Sequence, residues 1–164
     1  MLLIRNRVPL LAAAFAAPLL LAVSSAAGGD TPFAALDGAW TGSGNVKLEN
    51  GKTERLKCKG YYNAKDGGTG LGIAINCGNP SFKINMRATL TYAGGQVSGT
   101  WEEREFNQTG NVTGKATADK LSLAIAGAIS GTMSISMAGT AQTVSISTGG
   151  PGFTGVNLQF AKSS

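Results

Sequence analysis

Hydrophobic and polar side chains alternate with a period of two along most of the chain after residue 38, and clusters of Gly, Asn, Asp and Pro interrupt the alternation. This period is typical of strands, and no segment after residue 36 has the longer period of an amphipathic helix. The pattern predicts strands at 39–48, 53–63, 69–77, 81–92, 96–106, 110–117, 120–126, 131–138, 141–147 and 153–161. Because connections of about two to five residues join them, neighbouring strands must be antiparallel.

A series of hairpins without a crossover helix is a meander, and an open meander leaves two strand edges unpaired. Closure into a barrel removes both edges. We therefore predict an all-β fold, an antiparallel up-and-down meander of 8–10 strands closed into a small barrel. A chain of 164 residues has room for one such domain, which we place at 37–164.

The hairpin around Gly94-Gly95 allows the most detailed prediction. A two-residue turn there pairs Leu90 with Gly99, Ala88 with Trp101, Thr89 with Thr100 and Arg87 with Glu102. Large side chains then face small ones on the apolar face, and the polar face gains a pair of opposite charges. A slip of one residue would destroy this sorting, so we expect the register to be fixed.

The two cysteines, Cys58 and Cys77, lie in consecutive predicted strands. A turn centred on Gly67-Gly68 places them opposite each other. An even number of cysteines in an exported chain favours a disulfide. Their separation lacks the Cys-x-x-Cys spacing, and the chain has no His to complete a metal shell. We predict a structural disulfide and no metal site.

The first 27 residues have the pattern of a secretory signal peptide. Arg5 and Arg7 precede an apolar run, and Ser25-Ala26-Ala27 offers a cleavage site. The alternative is a transmembrane anchor, which needs about 20 apolar residues without such a site. Cleavage predicts a periplasmic or secreted protein without an integral membrane span. Residues 28–36 are expected to form a flexible leader.

The charge of the mature chain is mildly basic. Loss of the two signal arginines reduces Lys+Arg from 14 to 12, against 9 Asp+Glu. This small excess gives no reason to expect a nucleic-acid partner. The local basic cluster comprises Lys52, Arg55, Lys57 and Lys59. A solvated strand face is the favoured interpretation of the cluster, and a site for a polyanion is the alternative.

The absence of His excludes Ser-His-Asp and Cys-His catalysis. The acidic cluster comprises Glu102, Glu103 and Glu105. If the hairpin register continues, Glu103 and Glu105 lie on the same strand face as Trp101, opposite Met86 and Ile84. Solvated carboxylates at a barrel rim are favoured over an acid/base pair. We therefore predict no enzyme and no cofactor.

Trp40 ends a Gly-x-Trp motif, Gly38-Ala39-Trp40, at the start of the first predicted strand, and Gly99-Thr100-Trp101 repeats the motif. A Gly-x-Trp motif that leads into a meander barrel resembles the calycin group of lipocalins, avidin-like proteins and related barrels. The lipocalin pattern also has a late arginine that covers the first tryptophan. The last predicted strand here has no arginine, and Lys162 is the cation nearby.

Two further likenesses concern export. The chain resembles small exported proteins of alpha-proteobacteria, which implies export but no mechanism. Bacterial inhibitors of secreted metalloproteases are also similar in outline, since they are exported, small, disulfide-bonded barrels with a Gly-x-Trp opening. In that family a segment ahead of the barrel enters the protease cleft, and this segment would correspond to Gly28–Leu36.

The leading functional prediction is a non-enzymatic exported barrel that binds a small, largely apolar ligand. The candidate ligand-binding residues are Trp40, Tyr92, Trp101, Glu103 and Glu105. The alternative is a barrel with a protein partner, such as a periplasmic protease inhibitor or an envelope structural protein. A small outer-membrane barrel ranks third, because only 7% of the residues are aromatic and such barrels carry aromatic girdles.

Overall fold

The computed structural model describes residues 31–149 and 151–164, and it is a closed barrel of ten antiparallel strands. The strands are β1 (Gly38–Leu48), β2 (Thr53–Lys65), β3 (Gly70–Gly78), β4 (Lys83–Ala93), β5 (Gln96–Glu103), β6 (Gln108–Ala116), β7 (Lys120–Gly127), β8 (Gly131–Ala138), β9 (Ala141–Thr148) and β10 (Phe153–Lys162). Each strand pairs with its neighbours in sequence, and β1 pairs with β10. The predicted up-and-down barrel is confirmed.

The alternation of side chains along each strand separates the interior of the barrel from its outer face. On β2, Leu56, Cys58 and Tyr62 are buried, whereas Lys57 and Lys59 between them are exposed. The same alternation recurs around the barrel and gathers the apolar side chains into one core. Burial of this apolar surface drives folding.

The predicted register of the β4–β5 hairpin is confirmed at all four pairs, including Ala88 with Trp101 and Arg87 with Glu102. The opposed charges of Arg87 and Glu102 do not form a salt bridge with each other. The Glu102 carboxylate pairs with Arg104 at 2.6 Å, and Arg87 Nη1 donates to the carbonyl of Met86 at 2.8 Å. Arg104 follows Glu102 by two residues in a turn, so the local contact forms in place of the cross-strand one.

Strand β5 ends at Glu103, earlier than the sequence predicts, and Glu105 lies exposed in the turn that follows. The expectation that Glu105 faces Ile84 across the hairpin is therefore wrong. The physical reason is the Glu103 carboxylate, which accepts the backbone N–H of Asn85 at 2.6 Å and that of Phe106 at 2.7 Å. These two bonds hold the chain in a turn at this point.

Inward-facing glycines let neighbouring strands approach closely. A Cβ at Gly44 would overlap the carbonyl oxygen of Asn157 on β10, and one at Gly99 would overlap the carbonyl oxygen of Thr89 on β4. No other residue fits these positions without displacing a strand. The glycines thereby permit the bending that closes a barrel.

One end of the barrel, which we call the base, is sealed by residues 31–37. A short 3-10 helix, Ala34–Leu36, crosses it, and Phe33 and Leu36 have no exposed surface. This differs from the flexible leader expected over 28–36, because two large apolar side chains anchor the segment in the core. Residues 28–30 and the predicted signal peptide lie outside the described residues. Within the described part of the chain, no helix is long and apolar enough to cross a membrane.

Candidate ligand-binding interior

Trp40 closes the base of the barrel from the inside. Its side chain is 1% exposed, and its Nε1 donates to the carbonyl of Leu36 at 2.7 Å. The Tyr62 ring packs edge-on against the indole, with 6.3 Å between ring centroids. The indole therefore joins the first strand to the 3-10 helix and to β2.

Lys162 lies over the outer side of Trp40, with its Nζ 5.7 Å from the centre of the ring. The cation is placed by register, because Lys162 on β10 pairs with Trp40 on β1. A lysine thus covers the first tryptophan where the lipocalin pattern has an arginine. A cation over an indole face contributes about 0.5–1 kcal/mol at an exposed site.

Tyr62 and Gln142 form a polar contact among the mainly apolar side chains near the base of the barrel. The Tyr62 hydroxyl donates to Gln142 Oε1 at 3.1 Å, and both side chains are almost fully buried. Burial raises the pKa of Tyr62 to about 12, an increase that the bond to Gln142 partly offsets. The phenol is therefore neutral at physiological pH and serves as a hydrogen-bond donor.

The opposite end of the barrel, which we call the mouth, is edged by apolar side chains. Each of the five loops there, or the strand end beside it, contributes one: Leu48, Phe82, Phe106, Ile129 and Phe153. Phe106 is the most exposed of them, at 59%. The other four are partly buried and pack against the core.

Apolar side chains that face inward differ in exposure, although the difference does not strictly follow the barrel axis: Tyr92 and Met137 near the base are half-buried, whereas Val46 and Val156 near the mouth are buried. At the level of the base, Leu71, Leu90 and Leu121 are at most 1% exposed. Nearer the mouth, inward side chains on β4, β7, β8 and β9 keep part of their surface accessible to solvent: Ile84, Met86, Ile125, Met133 and Ile146. We call this region the upper interior. It is lined by apolar side chains.

Trp101 projects from β5 into the interior, one inward position below Glu103. It is 8% exposed, and its neighbours across the ladder are Ala88 on β4 and Gly110 on β6. A Cβ at Gly110 would lie 2.6 Å from the Trp101 Nε1, so the glycine makes room for the indole. That Nε1 is buried and has no hydrogen-bond partner among the described residues. A buried donor of this kind is rare in folded proteins.

The five residues predicted to bind a ligand do not form one site. Trp40 and Tyr92 lie at the base, where the Tyr92 ring packs edge-on against Phe33 with 6.1 Å between centroids. Trp101 and Glu103 lie on β5 toward the mouth, and the carboxylate of Glu103 is occupied by backbone N–H groups. Glu105 lies in the exposed turn beyond them. Their roles in binding stay predictions.

Sequence reasoning missed Gln142 as an interior residue, although its signal was present. Gln142 occupies the same alternating set as Val144 and Ile146 on β9, which made it the polar member of an apolar face. Its Nε2 is buried without a partner among the described residues. The side chain of Phe33 was missed for a different reason, since it lies in a segment with no strand pattern.

Cys58 and Cys77 form the predicted disulfide, with an S–S distance of 2.02 Å, and pair directly across β2 and β3. Both side chains face the interior and are buried. Among residues 31–149 and 151–164, no group of three or more His, Cys, Asp or Glu side chains is placed to hold a metal ion.

Two open grooves lie on the outer face of the barrel. The first, of about 790 Å³, crosses β2 to β6 and has Tyr61, Arg87 and Asn111 in its lining. The second, of about 750 Å³, crosses β6 to β10 on the outer face and is lined largely by Ser and Thr side chains. Most of the side chains that line these grooves point outward from the strands, but the first groove also contacts Trp101, and the second also contacts Met133 and Ile146.

Comparison with solved structures shows the fold. The structure of Rv2717c from M. tuberculosis matches with a TM-score of 0.66 and 16% identity over 79% of this chain and 94% of that chain. The S-type phycobiliprotein lyase CPES from Guillardia theta matches with a TM-score of 0.57 and 10% identity over 80% and 90%. No family model and no curated protein matches the sequence.

Proposed function

We propose that this protein is a non-enzymatic exported barrel that binds a small, largely apolar ligand in its upper interior. The observation that carries the proposal is the contrast between the two ends. The base is sealed by Phe33, Leu36 and Trp40, whereas some inward apolar side chains toward the mouth, among them Ile84, Met86 and Ile125, keep solvent-accessible surface. Covering that surface with an apolar ligand would be favourable by about 25 cal/mol per Å².

The interior also indicates what polar group such a ligand would carry. Trp101 Nε1 is a buried donor without a protein partner, and it lies one inward position below the end of β5. An apolar molecule with one acceptor, such as a carbonyl oxygen, would satisfy it. The likeness of the fold to that of a phycobiliprotein lyase is in keeping with a small-molecule ligand.

The proposal includes no enzymatic role because few side chains of the protein could act as a general base. The sequence has no His. The inward carboxylate nearest the mouth on β5, Glu103, accepts two backbone N–H groups and is therefore committed to the turn. A general base needs free access to the proton that it removes. The disulfide supports export, since such bonds persist in oxidising compartments.

A protease inhibitor that inserts its N-terminal segment has less support. Residues 31–36 pack into the base, and removing Phe33 and Leu36 from the core to fill a protease cleft would expose two fully buried side chains. Exposure of two large apolar side chains costs about 3–6 kcal/mol.

Binding is tested with N-phenyl-1-naphthylamine, a neutral apolar fluorophore whose emission rises when it leaves water. We expect saturable enhancement with the full-length protein. Met86→Glu places a charge among the apolar side chains of the upper interior and should abolish the enhancement, because an apolar molecule cannot repay the desolvation of a carboxylate.

Thr89→Glu is the matched control. It introduces the same charge on the same strand but on the exposed outer face, and it should leave the titration unchanged. Circular dichroism checks that both variants fold. Equal enhancement in the two variants, or no enhancement with the unchanged protein, would contradict the proposal.

A further inference from the structure

The outer face of β2 carries a row of exposed side chains, three cations followed by an aromatic ring, which we call the basic row. Arg55, Lys57, Lys59 and Tyr61 alternate with buried residues and all point outward. Successive members of such a row lie about 7 Å apart along the strand. Tyr61 is 50% exposed, which makes it one of the two large apolar side chains that the described barrel leaves open to solvent.

No acidic side chain balances this row on the neighbouring strands. The outward positions of β1 to β4 carry the cations Lys47, Arg55, Lys57, Lys59, Lys65, Lys83 and Arg87 and no Asp or Glu. Across the ladder, Lys59 faces Thr41 and Asn76. Glu54 points the other way, where it accepts from Asn79 Nδ2 at 2.7 Å. The cations of the row are thus free to bind an anion.

The basic row runs directly into the first outer groove. Tyr61 forms one edge of that groove, and the small residues Gly72 and Ala74 form the floor beside it. The lining also includes the cations Arg87 and Arg104 and a set of outward hydroxyl and amide side chains: Asn63, Thr89, Thr100, Thr109 and Asn111. The one acid in the lining, Glu102, is paired with Arg104 at 2.6 Å, so it adds no free negative charge.

We propose that the basic row and this groove together bind an acidic polysaccharide, one whose sugars carry carboxylates. The cations of β2 would pair with the carboxylates, and the exposed Tyr61 ring would stack on the apolar face of a sugar. The amides and hydroxyls of the groove offer donors and acceptors to sugar hydroxyls. The second groove has similar volume and no charged side chain in its lining, which makes it the internal comparison.

This chemistry fits a saccharide better than other polyanions. A lipid surface requires apolar groups that enter the bilayer, and the outward side chains of the groove, Tyr61 apart, are polar, charged or small. A bare polyphosphate would use the lysines but leave the tyrosine ring and the amides without a partner. Export, which the disulfide supports, would place the protein among extracytoplasmic polysaccharides.

The test is calorimetric titration of the full-length protein at physiological ionic strength with oligogalacturonate, a neutral malto-oligosaccharide and inorganic polyphosphate. We expect oligogalacturonate to bind and the neutral sugar not to bind. Lys57→Thr with Lys59→Thr should weaken oligogalacturonate binding by about tenfold, because two charge-assisted contacts are lost. Tyr61→Thr should weaken it several-fold.

Lys115→Thr with Lys120→Thr is the matched control, since it removes the same charge from exposed positions on β6 and β7. It should leave the affinity unchanged. The proposal is overturned if oligogalacturonate does not bind, if the control loses as much affinity as the β2 variant, or if polyphosphate binds equally well and Tyr61→Thr has no effect. Binding of the apolar fluorophore tests the barrel interior independently of any of these outcomes.

Discussion

Replacing Trp40 by alanine is expected to lower the free energy of unfolding by about 3–5 kcal/mol, the largest loss from any single substitution that we predict. The indole is 1% exposed and donates from Nε1 to the carbonyl of Leu36. Its loss would leave a cavity at the base, an unpaired carbonyl and no ring beneath Lys162. Urea denaturation monitored by circular dichroism measures the change.

Two further variants show whether the loss comes from packing. Trp40→Phe keeps most of the apolar volume but cannot donate the hydrogen bond, so it should cost roughly 1–3 kcal/mol. Phe106→Ala removes an aromatic ring that is 59% exposed, and it should change stability by less than about 0.5 kcal/mol. Equal stability of the Trp40→Ala variant and the unchanged protein would mean that the indole has no structural role.

Removing the disulfide is expected to cost about 3 kcal/mol. The bond joins residues 19 apart in sequence, and closing a loop of about that length restricts the unfolded chain by this amount. Cys58→Ala with Cys77→Ala should lower the urea midpoint without changing the register of β2 and β3, since that ladder extends from Lys57 to Lys65 on β2.

A reductant provides the control for this prediction. Dithiothreitol should lower the stability of the unchanged protein toward that of the double variant, and it should have no effect on the double variant itself. If the unchanged protein keeps its stability under conditions in which free thiols are detected, the cross-link does not stabilise the fold.

The local parts of the fold could be predicted from the sequence because short turns determine their geometry. Gly94-Gly95 determines the β4–β5 register, and Gly67-Gly68 similarly places Cys58 opposite Cys77. In each case a turn of known length converts a pattern of alternation into specific pairs. Closure of β1 on β10 followed from the need to hide edges, but the register of that pair could not be predicted, since no short turn joins the two strands.

What sequence reasoning missed depends on contacts outside the alternating pattern. Residues 31–36 have no period of two, and their burial under the base follows from Phe33 and Leu36 meeting the end of the barrel. Glu105 was placed by extending β5, but two bonds from Glu103 turn the chain before that position. The outer groove depends on the curvature of five strands together, which no local pattern encodes.

The most direct test of ligand binding inside the barrel follows the two indole side chains, Trp40 and Trp101. A ligand in the upper interior must alter the surroundings of Trp101, whereas Trp40 lies sealed in the base. Nitrogen–proton correlation NMR resolves both indole N–H groups during titration with the methyl ester of a medium-chain fatty acid, an apolar molecule with a carbonyl acceptor. We predict that the Trp101 signal moves in a saturable manner and that the Trp40 signal does not. Unchanged signals from both indoles at a saturating concentration of the ester would contradict ligand binding inside the barrel.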